Sequence, residues 1–471
     1  MAGRRATQIM RIKFKSAGHD RPTILSVNLK PDQAVRGLRI VSRPTKAAVP
    51  LALAIVLIFS ACSAPGEVVP AGGVVNDGQR AAAEIASVSE LLETIGPGVA
   101  ALRDLPTWDV PADLMTREMF ETELEKDFAE DYPAEISELD QLELELLGIL
   151  SPGQDVSDIQ KALLSEQIVG FYDSESEAMF AIGDDSTPVP LLIWTLAHEY
   201  VHALQDRKFD LDAIEESIGE NHDALLAFRA LVEGDASLAG TQYALASLTN
   251  EDIDMLLRDG ESGGDAFSST PRVIREILLF PYEAGSSYVS SLLSGGWSAV
   301  NDAYDRLPDS TEQIMHESKY RADEKPLEVD LPGVEHVLPQ GWEEVRRNVT
   351  GEFYLGVILE QAIDRRAARQ AAEGWGGDAY VLYRSERGKG LMAMKFRWDT
   401  RLDLDEFWTA LVGFLAGGGL GPGTSETGET TALWSGSERS ARAQRLADSV
   451  LLVIGHDPAA VRLAASSLSR P

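Results

Sequence analysis

The stretch LAHEYVHALQD, residues 196–206, has the pattern of a metal-binding helix. Its two histidines, His198 and His202, lie four positions apart, so on a helix they share one face. Both imidazoles can then bind one metal ion, while Glu199 lies beside them and can hold a water molecule at the metal. Because the stretch is otherwise rich in apolar residues, we expect a buried helix running from Pro190 to about Arg207.

The stretch LVEGDA, residues 231–236, is the best candidate for the third ligand of a hydrolytic zinc site, which needs three protein ligands and one open position. Glu233 lies among apolar residues, where an ionised carboxylate is costly unless a cation compensates it. Gly234 would let this helix and the metal-binding helix approach closely. Asp235 can accept a hydrogen bond from a ligand histidine and so fix its tautomer. The alternative for Glu233 is a carboxylate at the solvent boundary of an amphipathic helix spanning about 222–247.

The start of the chain has the pattern of an exported lipoprotein. Residues 1–61 hold 11 Lys and Arg against two Asp and Glu. The apolar run over residues 47–59 is short for a membrane span but suits the hydrophobic region of a signal peptide. Cys62 is the only cysteine, and it follows Phe59-Ser60-Ala61 in a pattern that resembles a bacterial lipobox. We therefore predict an extracytoplasmic protein anchored to the bacterial cell membrane by a lipid on Cys62, with residues 62–78 as a flexible tether.

The chain after residue 61 is strongly acidic. It contains 73 Asp and Glu against 31 Lys and Arg, and the whole chain has a formal charge of −33. So acidic a protein repels nucleic acid phosphates, and no basic stripe offsets the repulsion. A nucleic acid is therefore not an expected partner, and the sequence does not indicate an oligomeric state.

The folded part of the chain is predicted to be α+β and mostly helical, in three regions. Residues 79–150 have the apolar spacing of helices, and Ser151-Pro152-Gly153 ends that region. Residues 151–340 form the metal-binding core, which includes a short antiparallel sheet. Residues 341–471 form a smaller C-terminal α+β domain, because the apolar period changes to two after Gly374-Trp375-Gly376-Gly377-Asp378.

A hairpin is predicted just before the metal-binding helix, where residues 168–172 and 178–182 flank a five-residue loop. Its edge strand is one that a peptide can extend by main-chain pairing. Phe280-Pro281-Tyr282 is expected to head a helix. The other expected elements are a helix over 117–130 capped by Thr116, a helix containing Trp297, a capping box at 310–313, a long helix over 341–372, strands at 379–384, 390–398, 438–446 and 449–455, and helices over 403–415 and after Asp457-Pro458.

The hairpin, the metal-binding helix and the helix that carries Glu233 together resemble the gluzincin group of zinc metallopeptidases, which have a thermolysin-like catalytic core. More closely, the chain resembles an uncharacterised bacterial family of secreted or lipid-anchored metallopeptidase candidates. One departure is Ser237, since the thermolysin-type pattern has Asp four residues after the ligand Glu; Asp235 would substitute for it. The matching segments are 170–173, 198–206, 231–236, 280–282, 310–316 and 374–378.

The resemblance implies a zincin-like core that binds Zn²⁺ through the three ligands named above and hydrolyses a peptide or protein substrate. Glu199 would take the proton of the attacking water and pass it to the leaving amine. A further donor would stabilise the tetrahedral oxyanion, and His316 and Tyr282 are the candidates. The alternatives are a half-buried core residue for Tyr282 and a capping or surface residue for His316. His222, His336 and His456 are expected to be polar surface residues.

A second function is compatible with the same sequence. A non-catalytic zinc-binding lipoprotein could keep a peptidase fold in order to bind peptides or cell-envelope partners. The intact set of His198, Glu199 and His202 favours the enzyme, because a binding protein does not need the base. The sequence also leaves open whether residues 79–150 act as a prodomain.

Overall fold

The computed structural model of the chain describes residues 87–184, 186–260 and 264–470, and it contains two β-sheets within a mostly helical α+β fold. The predicted fold class is therefore confirmed. The predicted signal peptide, the lipidated Cys62 and the tether lie outside the described residues. Within the described ranges, none of the helices combines the length and the apolar character needed to cross a membrane.

The region before the metal-binding helix consists of four helices and a three-stranded sheet. Thr116 caps the second of these helices, as predicted, because its side chain accepts a hydrogen bond from Met119 N. Asp155 caps the fourth helix in the same way. In chain order the elements are α1 (Val88–Arg103), β1 (Ala112–Met115), α2 (Arg117–Asp131), α3 (Ala134–Leu146), α4 (Val156–Gln167), β2 (Gly170–Asp173) and β3 (Ala178–Ile182).

The predicted hairpin is formed by β2 and β3, which pair antiparallel across the turn 174–177. Asp173 stabilises this turn by accepting hydrogen bonds from Glu175 N and the Ser176 hydroxyl. The sheet is mixed, however, because β1 pairs with β3 in parallel and the strand order is β1-β3-β2. Strand β1 was not predicted, and it places part of the N-terminal region in the same sheet as the hairpin.

Two long helices carry the metal-binding residues, and both follow the prediction. α5 begins at Val189, and Pro190 lies in its first turn, where no intrahelical N–H is needed. α5 ends at Asp210, whose backbone is left-handed with a φ of 58°, and α7 begins after Asn221, which accepts a hydrogen bond from Ala224 N. The elements are α5 (Val189–Phe209), α6 (Leu211–Ile218), α7 (His222–Ser247), α8 (Asn250–Gly260), α9 (Asp265–Ser269), α10 (Arg272–Leu292), α11 (Trp297–Asp305), α12 (Thr311–Met315) and α13 (Glu317–Arg321).

Glycines set the spacing of α7 from its two neighbouring helices. A Cβ on Gly240 would lie 3.1 Å from the Cα of His198, so this glycine lets α7 approach α5 at the metal-binding motif. A Cβ on Gly234 would lie 2.2 Å from the carbonyl carbon of Gly285 in α10. The predicted close approach at Gly234 therefore exists, but its partner is α10 rather than the metal-binding helix.

The segment Phe280-Pro281-Tyr282 was predicted to head a helix, but it lies inside α10. α10 begins earlier, directly after Pro271. Phe280, Pro281 and Tyr282 are all buried, and this packing offsets the backbone hydrogen bond that a proline removes from a helix interior. The predicted capping box at Ser310 is half formed: the Ser310 hydroxyl accepts from Gln313 N, but the Gln313 side chain accepts from Asp309 N instead of Ser310 N.

The C-terminal region is built on a seven-stranded antiparallel sheet with the order β4-β5-β6-β10-β9-β8-β7. The predicted long helix over 341–372 is wrong, since residues 342–348 form an edge strand and Asp364 caps a separate short helix. The hairpin of β7 and β8 was also missed. The elements are β4 (Trp342–Asn348), α14 (Gly351–Leu359), α15 (Arg365–Ala372), β5 (Trp375–Ser385), β6 (Gly390–Trp398), α16 (Arg401–Ala416), β7 (Gly423–Thr427), β8 (Thr431–Gly436), β9 (Ser440–Arg445), β10 (Ser449–Gly455) and α17 (Pro458–Leu468).

Two hydrophobic clusters meet at α7. The larger one runs from α3 through α7 and α10 to the C-terminal sheet. The smaller one joins α1, β1, β3 and α5, and it reaches α7 through Ala236 and Ala239. The metal-binding helix is thus fixed on one side by the N-terminal region and on the other by α7.

Candidate metal centre

Three side chains from α5 and α7 converge on one point. The Nε2 atoms of His198 and His202 lie 3.1 Å apart. Glu233 Oε2 lies 3.3 Å from the first nitrogen and 3.4 Å from the second. The sequence-predicted ligand set is therefore assembled in space. In the described part of the chain, two groups of His, Cys, Asp or Glu side chains are spaced closely enough to hold a metal ion. These three residues form one of the two groups, and it is the buried one.

The shape and chemistry of this triangle fit a zinc ion. Ligand atoms held about 2.0–2.1 Å from an ion at tetrahedral angles lie about 3.3 Å from one another, which matches all three distances. Two nitrogens and one carboxylate oxygen are a donor set that zinc prefers, and it leaves one tetrahedral position for water or substrate. Glu233 Oε2 is buried without a hydrogen bond, which is costly for a carboxylate unless a cation lies beside it.

The charges of the triangle depend on one another. Burial by itself would lower the pKa of His202, but the Glu233 carboxylate, together with Glu199 and Gln205, outweighs burial and raises that pKa to about 9. Burial would likewise raise the pKa of Glu233, but the two imidazoles outweigh it and lower the value. His202 and Glu233 therefore form an ion pair in the metal-free protein, and a bound cation takes the place of the imidazole proton.

Gln205, a residue that the sequence analysis did not single out, contacts His202. Its amide oxygen lies 2.9 Å from His202 Nδ1, and its amide nitrogen donates to the carbonyl of Val232 at 3.0 Å. The side chain is fully buried, with 0 % exposure. The available signal was its position three residues after His202, which places both side chains on one face of α5.

Asp235 does not have the predicted role. Its carboxylate accepts two hydrogen bonds from Arg103, at 2.6 and 2.9 Å, and one from the Tyr304 hydroxyl at 2.9 Å. It points to α1 and α11, because residues two apart on a helix face opposite directions. His198 Nδ1 makes no hydrogen bond, and neither does the hydroxyl of Ser237, which is buried.

Glu199 is held by the hairpin. One of its carboxylate oxygens accepts the backbone N–H of Tyr172 at 3.0 Å. Burial raises the pKa of Glu199, and the two neighbouring imidazoles partly offset that rise. The carboxylate is therefore a stronger base than a solvent-exposed one, and its direction is fixed by a main-chain donor.

The same contact changes the prediction for the edge of β2. Tyr172 N points away from β3, and it is already paired with Glu199. A Cβ on Gly170 would lie 2.3 Å from the Thr195 side chain in α5. The edge N–H of Tyr172 that was expected to pair with a peptide is therefore already engaged by Glu199 of the metal-binding helix, and the same helix packs on the face of β2 at Gly170.

The structure brings one of the two predicted oxyanion donors to the metal ligands. The ring of Tyr282 stacks on the ring of His198 with 6.3 Å between centroids, and the residue is 6 % exposed. His316 instead contacts the C-terminal region, where its Nε2 lies 2.9 Å from Glu352 Oε1, and this hydrogen bond raises the pKa of His316. Tyr282 is thus the better placed candidate, while His316 caps α12.

The remaining histidines and acidic groups offer no comparable site in the described residues. His222 and His336 are exposed, as expected, whereas His456 is half-buried and accepts the N–H of Gly390. The other acidic group close enough for a metal is Glu312, Glu324 and Asp399. All three surround the ammonium group of Lys319, which already occupies the space between them with a positive charge.

Comparison with known proteins reaches the C-terminal sheet but not the metal ligands. A family model described as a domain of unknown function, DUF8575, matches residues 337–465, which run from just before β4 into α17. No curated protein and no solved structure matches the chain. The chain is therefore similar to that family over its C-terminal sheet region, and the chemistry of the centre rests on its own residues.

Proposed function

We propose that this chain is a zinc-dependent metallopeptidase with a gluzincin-like, zincin-type core. The observation that carries the proposal is the buried triangle of His198, His202 and Glu233, with Glu199 directly beside it. A closed structural zinc site needs four protein ligands. Only three are assembled in the described chain, and the fourth tetrahedral position is left for water or substrate.

The residues around the triangle support peptide hydrolysis in defined roles. Zinc bound there would supply a Lewis acid that polarises the scissile carbonyl and the attacking water. Glu199 removes a proton from that water as its oxygen bonds to the carbonyl carbon. Glu199 then delivers the proton to the leaving nitrogen as the C–N bond breaks. Tyr172 N–H holds one oxygen of Glu199 so that the other can face the substrate.

Tyr282 is our proposed donor to the oxyanion. Its ring lies beside His198, and a phenol can donate a hydrogen bond to the charge that develops on the carbonyl oxygen. The proposal for cellular location rests on the sequence alone: a lipid on Cys62 would hold the enzyme on the outer side of the bacterial cell membrane, where a peptide or protein is the substrate.

One observation favours a second function, namely a zinc-binding lipoprotein without catalysis. His198, His202, Glu199 and Glu233 are each no more than 4 % exposed. A peptide reaches them only if neighbouring side chains move. A protein that uses zinc to stabilise a binding surface for peptides or cell-envelope partners would not need that movement.

The deciding experiment compares the wild type with Glu199→Gln after metal analysis. We expect about one zinc per chain in both proteins, and a loss of peptide hydrolysis of roughly 10²–10⁴-fold in the variant, because only the base is removed. Glu166→Gln is the matched control: this carboxylate also accepts backbone N–H groups but lies between α4 and α9, so activity should not change.

Two results would count against the enzyme. If the wild type binds stoichiometric zinc but hydrolyses nothing in a broad peptide library, the binding protein is the better description. If the wild type takes up no zinc, or if Glu233→Ala retains it, the proposed ligand set is wrong.

A further inference from the structure

We infer that Gln205 is the positioning residue of the metal centre, because its amide oxygen fixes the imidazole of His202 in the tautomer that binds metal through Nε2. This inference rests on the proposed metal centre and deepens it. It assigns to Gln205 the part that the sequence pattern assigned to Asp235, which is engaged elsewhere.

The hydrogen bonds of Gln205 determine its orientation. A backbone carbonyl can only accept, so the group of Gln205 that lies 3.0 Å from the Val232 carbonyl must be the NH₂. The amide oxygen then faces His202 at 2.9 Å, and it can only accept. His202 Nδ1 must therefore carry a proton, so Nε2 is the nitrogen that gives up its proton to Glu233 or to solvent when a metal binds, and its lone pair then points to the space between Glu233 Oε2 and His198 Nε2.

Burial makes this assignment strong. Gln205 has 0 % exposure and His202 only 2 %, so water does not compete for either hydrogen bond. The same side chain also connects the two helices of the site, since Val232 directly precedes Glu233 in α7. One residue thus orients a ligand on α5 and holds the turn of α7 that carries another ligand.

The other histidine ligand has no comparable hydrogen bond. His198 Nδ1 is buried without a partner, and so is the hydroxyl of Ser237. His198 is positioned by packing instead, with Gly240 against its backbone and the Tyr282 ring against its imidazole. The contribution of hydrogen bonding to ligand orientation therefore falls on Gln205.

The test measures zinc affinity by competition with a chromophoric chelator, and not activity. Gln205→Leu keeps much of the side-chain volume but removes the acceptor, so we expect zinc affinity to fall roughly 10–100-fold. Gln205→Glu keeps an acceptor for His202 Nδ1 but loses the donor to the Val232 carbonyl, so its zinc affinity should lie above that of Gln205→Leu. Ser237→Ala is the matched control, because it changes a buried polar residue of α7 whose hydroxyl makes no hydrogen bond, and its affinity should equal that of the wild type.

Stability of the metal-free proteins separates positioning from a merely structural role. If Gln205 only supports the fold, both of its variants lower the melting temperature, and the zinc affinity of neither variant differs from that of the wild type. Wild-type zinc affinity in a folded Gln205→Leu protein would overturn the inference and leave the metal centre intact. A wild type that binds no zinc would overturn both.

A measurement on the wild type covers the case in which Gln205→Leu does not fold. Long-range ¹H–¹⁵N spectra of the zinc-loaded protein should show His202 protonated at Nδ1 and metal-bound at Nε2. The opposite assignment would contradict the role of Gln205 whatever the variants do.

Discussion

Helix α7 buries two carboxylates two residues apart, and their surroundings differ completely. Asp235 lies against α1 and α11, where Arg103 and Tyr304 donate three hydrogen bonds to it. Glu233 faces α5, where its Oε2 has two imidazole nitrogens within 3.4 Å but no hydrogen bond. The two positions are about 200° apart around the helix, so each carboxylate has its own environment.

The difference separates a structural charge from a functional one. The charge of Asp235 is compensated within the chain by Arg103, and both side chains have 0 % exposure. The charge of Glu233 is compensated only by a proton on His202 or by a metal ion. A buried carboxylate stabilises the fold when its neighbours neutralise its charge and satisfy its hydrogen bonds. A buried carboxylate that lacks such neighbours is available to bind a ligand.

The largest effect is expected when the Asp235 environment is broken. Arg103→Met keeps an apolar stem against Trp297 but leaves Asp235 buried without its counter-charge. We expect a loss of about 3–5 kcal/mol in the free energy of unfolding, measured by urea denaturation. The variant should be destabilised with and without zinc, because Arg103 does not contact the metal ligands.

Two further variants control this measurement. Lys126→Met removes an exposed ion pair with Glu123, and it should produce no measurable change. Arg103→Met combined with Asp235→Asn should recover part of the loss, since no uncompensated charge remains. A loss in Arg103→Met no larger than that in Lys126→Met would show that the pair is not structural.

The next effect concerns the Glu233 environment and depends on pH. The pKa of His202 is raised to about 9 in the metal-free protein, above its value of about 6.5 in the unfolded chain. The stabilisation is therefore fully present below pH 6.5 and is lost as the pH rises through about 9. We expect a decrease on the order of 2–3 kcal/mol in the free energy of unfolding across this window. Glu199 acts in the same direction, because burial raises its pKa as well.

Denaturation of the metal-free protein at several pH values tests this expectation. In Glu233→Gln the main carboxylate that raises the pKa of His202 is absent, so the free energy of unfolding should fall much less between pH 6.5 and 9 than in the wild type, and the remaining fall would come from Glu199. If the free energy of unfolding decreases equally with pH in the wild type and in this variant, the ion pair between His202 and Glu233 is contradicted. Zinc should also remove the slope, since it displaces the proton of His202.

The same comparison explains what the sequence could predict. His198 and His202 were identifiable because their relation is local, four residues apart on one helix. Glu233 was identifiable from its apolar neighbours. The partner of Asp235 was not, because Arg103 lies 132 residues away and only the fold brings the two together. Gln205 was visible three residues after His202, but its amide has a meaning only once the Val232 carbonyl is in place.

The C-terminal region shows the same limit for secondary structure. Residues 342–348 pair with β5, with a register shift between Glu344 and Arg346 that interrupts the period-two pattern. The local sequence gave no clear strand period there, so helix was the natural prediction for 341–372. The hairpin of β7 and β8 was missed because every residue of β7 is exposed and polar or glycine, which leaves no apolar alternation to recognise.

The smallest effect is expected from Tyr304→Phe, which tests whether the Glu233 and Asp235 carboxylates of α7 act independently. The change removes one of the three hydrogen bonds to Asp235 and keeps the ring that stacks on Phe209 at 3.9 Å. We expect a loss of roughly 1–2 kcal/mol in stability, because a hydrogen bond to a charged group is lost while Arg103 remains. Tyr320→Phe is the matched control, since its hydroxyl donates to a neutral carbonyl, that of Arg306, and the loss should be smaller. Zinc affinity should not change in either variant, because neither hydroxyl is bonded to a metal ligand. If the zinc affinity of Tyr304→Phe falls together with its stability, then the hydrogen bonds of Asp235 also hold Glu233 in place, and the division between a structural and a functional carboxylate on α7 is wrong.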